Sequence, residues 1–209
     1  VDLFEIVIQL AAIASVVVIF RKKFFDFKHY SFYIKLIIAV IPALIFGAAF
    51  KKYIDAALGN LNAIAIVMVL GGILLLFIDK IFEKATTSSI EVSQDVTYKK
   101  SFIIGCFQVL SITFPGLSRS AATIIGGMSQ QLNKKTALEF SFFLAVPTML
   151  AASAKSTLDV YSSHPEVLSS ENLILLLVGA LIAFVVALLS VQFFMRIVEK
   201  KGFAPFGWY

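Results

Sequence analysis

The sequence is poor in charged residues, cysteine and histidine, and each shortage excludes a class of protein. Only 15% of its 209 residues are charged, whereas a soluble domain carries about a quarter. A single cysteine cannot form an intramolecular disulfide framework, and the two histidines do not cluster with it at metal-ligand spacing. The basic residues behind the net charge of +5 lie in short clusters between apolar segments, which is typical of membrane loops and does not indicate nucleic-acid binding.

Apolar residues are abundant enough to indicate an integral membrane protein. They make up 59% of the chain, with 21 phenylalanines and a mean hydropathy of +0.92. A helix needs about 20 apolar residues to cross a bilayer. We therefore predict an all-α integral membrane fold, a polytopic helical bundle that forms a single transmembrane domain over residues 1–209. The predicted full spans are approximately residues 3–20, 32–50, 63–78, 137–154 and 173–195.

The start of the sequence lacks the features of a signal peptide, and the end of the sequence is abrupt. The first residues run directly into an apolar helix, with no methionine, charged leader or small-residue cleavage site. The last residues, GFAPFGWY, stop abruptly after a basic cluster. We expect the sequence to be part of a longer protein, cut at both ends.

Lysine and arginine in the loops predict how the chain is oriented, because cytoplasmic loops carry an excess of both. The loops assigned to the cytoplasm are residues 21–31, 79–100 and 196–202, and those assigned to the outside are 51–61 and 155–171. The connection 129–136 contains Lys134 and Lys135 and precedes a span that ends outside, so it also lies in the cytoplasm.

Segment 101–128 then begins and ends on the same side of the membrane. It is 28 residues long, whereas two full crossings would need about 40. We predict a re-entrant helix-loop-helix hairpin with arms at 101–114 and roughly 121–128. Its tip, PGLSRS at 115–120, must be surrounded by protein or line a water-filled cavity, because irregular backbone is not tolerated against lipid.

An arginine in this tip needs an anionic counterpart. Placing Arg119 at membrane depth costs about 2.5–3.5 kcal/mol on insertion scales, and its planar fork of donors matches phosphate or carboxylate oxygens. The start of the second arm is itself an anion site, and Ser118, Ser120 and Thr123 add hydroxyl groups. The alternative is a structural arginine that snorkels to the cytoplasmic face or pairs with a carboxylate.

Few polar residues are available as partners for such a structural arginine. The carboxylates are Glu5 in the first span and Glu139 at the start of the fourth full span. Gln9 and Gln108 are polar but neutral. Gln108 lies on the first arm of the hairpin, eleven residues before Arg119, and is therefore a further candidate for the site.

The motif PGLSRSAAT at 115–123, together with three flanking segments, makes the chain resemble a known family, the bacterial undecaprenyl-pyrophosphate phosphatases, which are integral membrane lipid-diphosphate phosphatases. The motif PGLSRSAAT at 115–123 is similar to the family signature PGxSRSGxT. The flanking segments that also resemble the family, in the same order, are FEIVIQL at 4–10, DVTYKKSFIIGCFQ at 95–108 and EFSFFLAVPTM at 139–149. The resemblance covers nearly the whole chain.

The sequence departs from the family pattern in two ways. Ala121 replaces the family glycine, and its methyl group would narrow the approach of backbone to phosphate; we expect this to tune the site without abolishing it. The family also has two inverted repeats, each a re-entrant hairpin followed by three spans. The first hairpin, with two glutamates four residues apart, and the last span have no match here, so we expect the sequence as given to bind substrate but hydrolyse it poorly.

The resemblance implies hydrolysis of undecaprenyl diphosphate to undecaprenyl phosphate and phosphate, which recycles the lipid carrier for peptidoglycan synthesis. It implies that Arg119, Ser118 and Ser120 are catalytic and that Gly116, Thr123 and Gln108 bind substrate. A divalent cation, Mg²⁺ or Ca²⁺, would be held by the acidic pair upstream, with no metal ligand in this chain. The implied partners are the lipid substrate, the bilayer and a second copy in a homodimer. The implied location is the bacterial inner membrane, with the site facing outward.

Two other functions are compatible with the same residues. Inverted repeats, half-helices and an arginine near the midplane also describe a carrier of an anion or a lipid phosphate. A structural or regulatory membrane subunit, in which Arg119 is merely paired, is the third reading. Release of phosphate dependent on a divalent cation distinguishes the enzyme from the carrier.

Overall fold

The structure is a computed structural model, and it describes residues 3–26, 30–82, 95–163 and 173–209. Within these ranges every regular element is an α-helix, which confirms the predicted all-α class. In chain order the helices are α1 (Leu3–Ile19), α2 (Arg21–Phe24), α3 (Tyr30–Ala49), α4 (Lys51–Leu58), α5 (Leu61–Ile81), α6 (Tyr98–Thr113), α7 (Arg119–Ser129), α8 (Lys134–Ser163), α9 (Leu173–Lys201) and α10 (Ala204–Trp208). Parts of three predicted loops, at 27–29, 83–94 and 164–172, lie outside the described residues.

Four of these helices are long and apolar enough to cross a membrane. They are Tyr30–Ala49, Leu61–Ile81, Lys134–Leu158 and Ile174–Lys201. Helix α1 is a shorter apolar helix of 17 residues. Pro42 lies inside α3 and Pro147 lies inside α8. A membrane helix tolerates an internal proline when neighbouring groups satisfy the carbonyl that the proline leaves without a partner. The protein is therefore a multi-pass membrane protein.

The helices form two compact units. One unit contains Val1–His29 with Ala145–Phe194, and the other contains Tyr30–Leu144 with Met195–Tyr209. In the first unit, α9 lies so close to α1 that a Cβ built on Gly179 would be 2.9 Å from Cζ of Phe4. The second unit contains the hairpin and is described below.

Helices α6 and α7 form an antiparallel hairpin. A Cβ built on Gly126 would lie 2.8 Å from Cβ of Phe107, and these two residues are equally far along the chain from the turn at Gly116-Leu117. The first arm starts at Tyr98, where Thr97 accepts a hydrogen bond from the N–H of Lys100. The second arm starts at Arg119, two residues earlier than predicted. Arg119 is therefore the first residue of a helix.

The first arm of the hairpin packs closely on α3. A Cβ built on Gly105 would overlap the backbone carbonyl of Ala39, and Ala39 itself is completely buried. Such backbone-to-backbone contact through small residues is how membrane helices gain van der Waals packing, because lipid provides no hydrophobic drive for association. Gly105 thereby fixes the position of α6 on α3.

Four residues, which we call the Asp79 cluster, join three segments at the other end of this unit from the turn. Lys134 Nζ lies 2.8 Å from Asp79 Oδ1, and the N–H of Phe203 donates to Asp79 Oδ2 at 2.8 Å. Gly202 has a positive φ of 71°, and a Cβ there would collide with the Asp79 carboxylate. The end of α5, the start of α8 and the chain after α9 therefore meet, as expected of segments on one side of the membrane.

Candidate functional site: an arginine at the tip of a helical hairpin

The turn of the hairpin depends on glycine at position 116. Gly116 has a φ of +100°, a backbone conformation that glycine adopts without the steric cost other residues meet. A Cβ at this position would also lie 2.6 Å from the carbonyl oxygen of Ile64 and 3.2 Å from Cγ of Met68. The tip thus packs against the first half of α5, while Gly116 itself is exposed.

The contact with α5 gives the depth of the tip along that helix. Fifteen residues separate Ile64 from Asp79 within α5, which corresponds to about 22 Å at 1.5 Å per residue. The hydrocarbon core of a bilayer is about 30 Å thick. The tip therefore lies more than half a membrane thickness from the Asp79 cluster.

The chain re-enters a helix immediately after the turn, and Ser118 is the N-cap. Its Oγ accepts a hydrogen bond from the N–H of Ala121 at 3.4 Å, and its carbonyl accepts from Ala122 at 3.0 Å. A helix start concentrates N–H donors and the positive end of the helix dipole. Ser118 is exposed, and Arg119 and Ser120 are partly exposed, so donors of three kinds meet at the tip: a guanidinium, hydroxyls and backbone N–H groups.

Thr123, predicted to bind substrate, faces the neighbouring helix instead of the exposed tip. Its side chain is 2% exposed. Its Oγ1 lies 3.0 Å from the carbonyl oxygen of Arg119, 3.1 Å from that of Ser120 and 2.7 Å from Oγ of Ser141 on α8. The hydroxyl is thus engaged within the protein, and it ties the first turn of α7 to α8.

Gln108 and Ala121 are also buried. Gln108 is 1% exposed and lies on α6 about 7.5 Å along the helix axis from the last residue, Thr113. Ala121 is 5% exposed and belongs to the packed face of α7. Its methyl group therefore fills space between helices, which explains how alanine is accommodated where the family signature has glycine.

Sequence reasoning did not single out Ser141. The residue lies in the apolar segment EFSFFLAVP and is 2% exposed. A hydroxyl inside a span is a usable signal, because polar groups in the membrane need partners. Its partner could not be inferred from the sequence, because eighteen residues separate it from Thr123.

The tip residues fit an anion and not a metal ion. Within the described ranges no group of three or more His, Cys, Asp or Glu side chains is placed to hold a metal. Ser118, Arg119 and Ser120 provide donors and a fixed positive charge. A phosphate group, with several acceptor oxygens and negative charge, is the ligand that this set of groups would bind.

Comparison with known proteins agrees with this chemistry. A profile of the family described as bacitracin resistance protein BacA matches residues 1–209. A Porphyromonas gingivalis protein named undecaprenyl-diphosphatase is 42% identical over 222 residues, covering 99% of this chain and 77% of that protein. Proteins of the same name from Flavobacterium johnsoniae and Methanococcus aeolicus are 45% and 41% identical, over 99% of this chain and 76% and 77% of theirs. With a family match over its whole length and relatives of this similarity, the chain belongs to the BacA family of bacitracin resistance proteins.

Proposed function

We propose that this protein is an undecaprenyl-diphosphatase, which hydrolyses undecaprenyl diphosphate to undecaprenyl phosphate and inorganic phosphate and so recycles the lipid carrier for cell-wall synthesis. The family match and the name shared by the relatives support this assignment. The structural observation that carries it is the position of Arg119, which is the first residue of α7 at the tip of a hairpin between apolar helices.

Hydrolysis requires hydrogen-bond donors that face the oxygens of the transferred phosphoryl group at the position these oxygens occupy in the transition state. A nucleophile attacks the terminal phosphorus, the bond from phosphorus to the bridging oxygen breaks, and undecaprenyl phosphate leaves with the electron pair. Charge is spread over the three equatorial oxygens of the transferred group. The guanidinium of Arg119 and the first-turn N–H groups of α7 bind those oxygens, and because they are fixed in advance they need no reorganisation during the reaction.

The remaining tip residues have distinct roles in this proposal. Ser118 is exposed, and its hydroxyl either orients the terminal phosphate or attacks it before water completes the hydrolysis. Ser120 binds a second phosphate oxygen. Gly116 lets the backbone of the turn approach the headgroup, because it has no side chain. Gln108 and Thr123 support these groups from the helix interior, since both are buried.

A divalent cation, Mg²⁺ or Ca²⁺, is part of the proposed function but not of the steps assigned to these residues. The tip offers it no cluster of acidic ligands within the described residues, and Arg119 carries the same sign of charge. Hard cations of this kind bind carboxylate oxygens. Chelation by EDTA tests the requirement: phosphate release should stop and return when Mg²⁺ or Ca²⁺ is added in excess, whereas unchanged release would exclude it.

The proposed location is the bacterial inner membrane, with the tip opening to the outer side. Lysine-rich loops favour the cytoplasmic side, and the Asp79 cluster joins three segments of that kind. The tip lies about 22 Å from this cluster along α5. A Ser118→Cys variant in a Cys106→Ala background should react with a membrane-impermeant maleimide added to intact spheroplasts. Reaction only in inside-out vesicles would contradict the outward site.

The proposed partners are the lipid substrate, the bilayer and a second copy of the chain. Large apolar side chains are exposed along α5 and α9, as expected for helices in contact with lipid. These faces also provide area for a homodimer. Mass photometry of the protein in nanodiscs tests the dimer, and a single mass of one copy across the working concentrations would exclude it.

The assay for the function measures both hydrolysis and transport. The full chain is reconstituted with undecaprenyl diphosphate, and inorganic phosphate release and movement of labelled lipid between leaflets are followed together. We expect phosphate release above that of empty vesicles, and slow release would agree with the expectation that the sequence as given hydrolyses its substrate poorly. Movement of the lipid without any phosphate release would instead identify a carrier.

A further inference from the structure

We propose that Ser141 is a positioning residue for the anion-binding tip and acts through Thr123 on the first turn of α7. The inference rests on the proposed function, since it concerns how that site is held. Ser141 belongs to α8 and lies outside the family signature at 115–123. Its hydroxyl lies 2.7 Å from that of Thr123, and both side chains are 2% exposed.

The number of hydrogens available decides the direction of this interaction. The hydroxyl of Thr123 has one hydrogen, and it faces two carbonyl oxygens, of Arg119 at 3.0 Å and Ser120 at 3.1 Å. Carbonyl oxygens only accept, so the Thr123 hydrogen is directed between them. Its oxygen is then left to accept, and in this assignment Ser141 donates to it, although distance alone would allow either hydroxyl to be the donor. The result is a directed chain from Ser141 to Thr123 to the two carbonyls.

Each of these carbonyls belongs to a peptide whose N–H lies at the start of the helix. The carbonyl of Arg119 shares a planar trans peptide with the N–H of Ser120. The carbonyl of Ser120 shares one with the N–H of Ala121, which itself donates to Oγ of the N-cap Ser118. Fixing the carbonyl end of a rigid plane also fixes the direction of its N–H end. The first-turn N–H groups of a helix are the ones that bind anions. Ser141 therefore orients the N–H of Ser120 as a donor and, through Ala121, the hydroxyl of Ser118, although it lies outside the site itself.

Other buried serines of the described residues make no comparable interaction. Ser15 donates to the carbonyl of Ala12 and Ser101 to that of Thr97, each within its own helix or its cap. Ser153 lies on the same helix as Ser141 and is equally buried, but its Oγ has no hydrogen-bond partner within the part of the chain described. Ser153 therefore provides a matched control for removal of a buried hydroxyl from α8.

The test compares Ser141→Ala with Ser153→Ala, and then combines Ser141→Ala with Thr123→Val. Phosphate release from undecaprenyl diphosphate gives kcat and KM, binding of inorganic pyrophosphate gives an affinity, and thermal unfolding gives the melting midpoint. Loss of one hydrogen bond should lower kcat by about 3- to 10-fold in Ser141→Ala. KM should change less, because oriented donors act most strongly on the transition state. Ser153→Ala should keep the wild-type kcat. Ser141→Ala should melt slightly lower than Ser153→Ala, because it loses a buried hydrogen bond, but should remain folded at the assay temperature.

Two further variants separate positioning from packing. Thr123→Val keeps the shape of the side chain and removes its hydroxyl, whereas Thr123→Ser keeps the hydroxyl. We expect Thr123→Ser to stay near wild-type kcat and Thr123→Val to lose about 10-fold or more. If Ser141 acts through Thr123, adding Ser141→Ala to Thr123→Val should lower kcat no further, because the two changes break the same chain.

Three results would overturn the inference: an unchanged kcat in Ser141→Ala, an equal fall in Ser153→Ala, or full additivity of Ser141→Ala with Thr123→Val. Failure of the proposed function looks different, since the wild type would then release no phosphate at all. In that case the affinity for pyrophosphate still tests the inference, and it should be weaker in Ser141→Ala than in Ser153→Ala, by a smaller factor than the fall expected in kcat. Equal binding in those two variants would contradict the positioning role.

Discussion

The hairpin tip and the Asp79 cluster lie at opposite ends of one helical unit and handle charge in opposite ways. In the Asp79 cluster one carboxylate oxygen forms an ion pair with the ammonium of Lys134 at 2.8 Å, and the other accepts a hydrogen bond from the N–H of Phe203 at 2.8 Å. At the tip, Ser118, Arg119 and Ser120 bring together groups that donate, on backbone and side chains that are at least partly exposed. The carboxylate at the first end is paired with a cation within the protein, whereas the groups at the second end have the composition of a site that binds an anion.

Truncation of Arg119 should have the largest effect on the rate of phosphate release, and it tests most clearly whether the tip is the phosphate site. Arg119→Ala should lower phosphate release by about 10³-fold or more, since a cation aimed at a transferred phosphoryl group contributes about 10³–10⁵. Arg119→Lys should recover only part of this loss, because an ammonium cannot bind two oxygens in a fork. The exposed arginine at the end of α9, changed as Arg196→Ala, is the control and should keep full activity.

The alternative role of Arg119, pairing with Glu139, predicts a different pattern in the same assay. If the arginine were only structural, Arg119→Ala would lower the melting midpoint and the amount of folded protein, and Glu139→Gln would have the same effect. A folded, stable and inactive Arg119→Ala protein excludes that reading. Size-exclusion chromatography and thermal unfolding of the three proteins give the comparison.

The glycine of the turn should have the next largest effect. Gly116→Ala places a methyl group within 2.6 Å of the carbonyl of Ile64 at a positive φ. Strain of this kind costs about 1–3 kcal/mol, and relief by a shift of the tip would misplace the donors. A displacement of about 1 Å costs about 100-fold in rate. Gly47→Ala is the control, because a Cβ on Gly47 meets nothing within 4 Å.

Changes in the Asp79 cluster should affect stability and leave the chemistry intact. Asp79→Ala leaves the part-buried ammonium of Lys134 and the N–H of Phe203 without their acceptor, which should destabilise the fold by about 2–3 kcal/mol. The kcat of the protein that remains folded should equal that of the wild type. A fall in kcat at unchanged stability would show that the two ends are coupled.

The smallest effect is expected for the neighbouring surface ion pair. Lys135 Nζ lies 3.5 Å from Glu199, and the two side chains are 63% and 43% exposed. Exposed pairs contribute about 0–1 kcal/mol, so Lys135→Ala should barely move the melting midpoint. A fall in the melting midpoint as large as that of Asp79→Ala would contradict this account. It would mean that the surface ion pair, and not only the Asp79 carboxylate, holds the three segments together.

The hairpin was predictable from sequence because it follows from length and charge. Lysines on both sides of segment 101–128 place its two ends on the same side of the membrane. The segment is too short for two full crossings, and the pair Pro115-Gly116 marks the turn. Arg119 could be singled out because a charge in an apolar setting is costly. Helix α7 starts at Arg119, two residues before the approximate start of the predicted arm, because Ser118 caps the helix.

The contacts that hold the site were not predictable from the sequence. Thr123 meets Ser141, and Asp79 meets Phe203, 124 residues away, only because of how each helix is rotated and tilted against its neighbour. The close approach of Gly105 to the backbone of Ala39 has the same origin. Apolar stretches of this length show no periodic pattern that would fix those rotations, since both lipid and neighbouring helices accept apolar side chains.

The most direct measurement is an experimental structure of the full chain with a non-hydrolysable methylene analogue of the lipid diphosphate. We expect the terminal phosphonate within hydrogen-bonding distance of the Arg119 guanidinium and of the first-turn N–H groups of α7, with Ser118 beside it. A headgroup bound elsewhere, with the arginine held on a carboxylate of the protein, would contradict the assignment of the hairpin tip as the phosphate site.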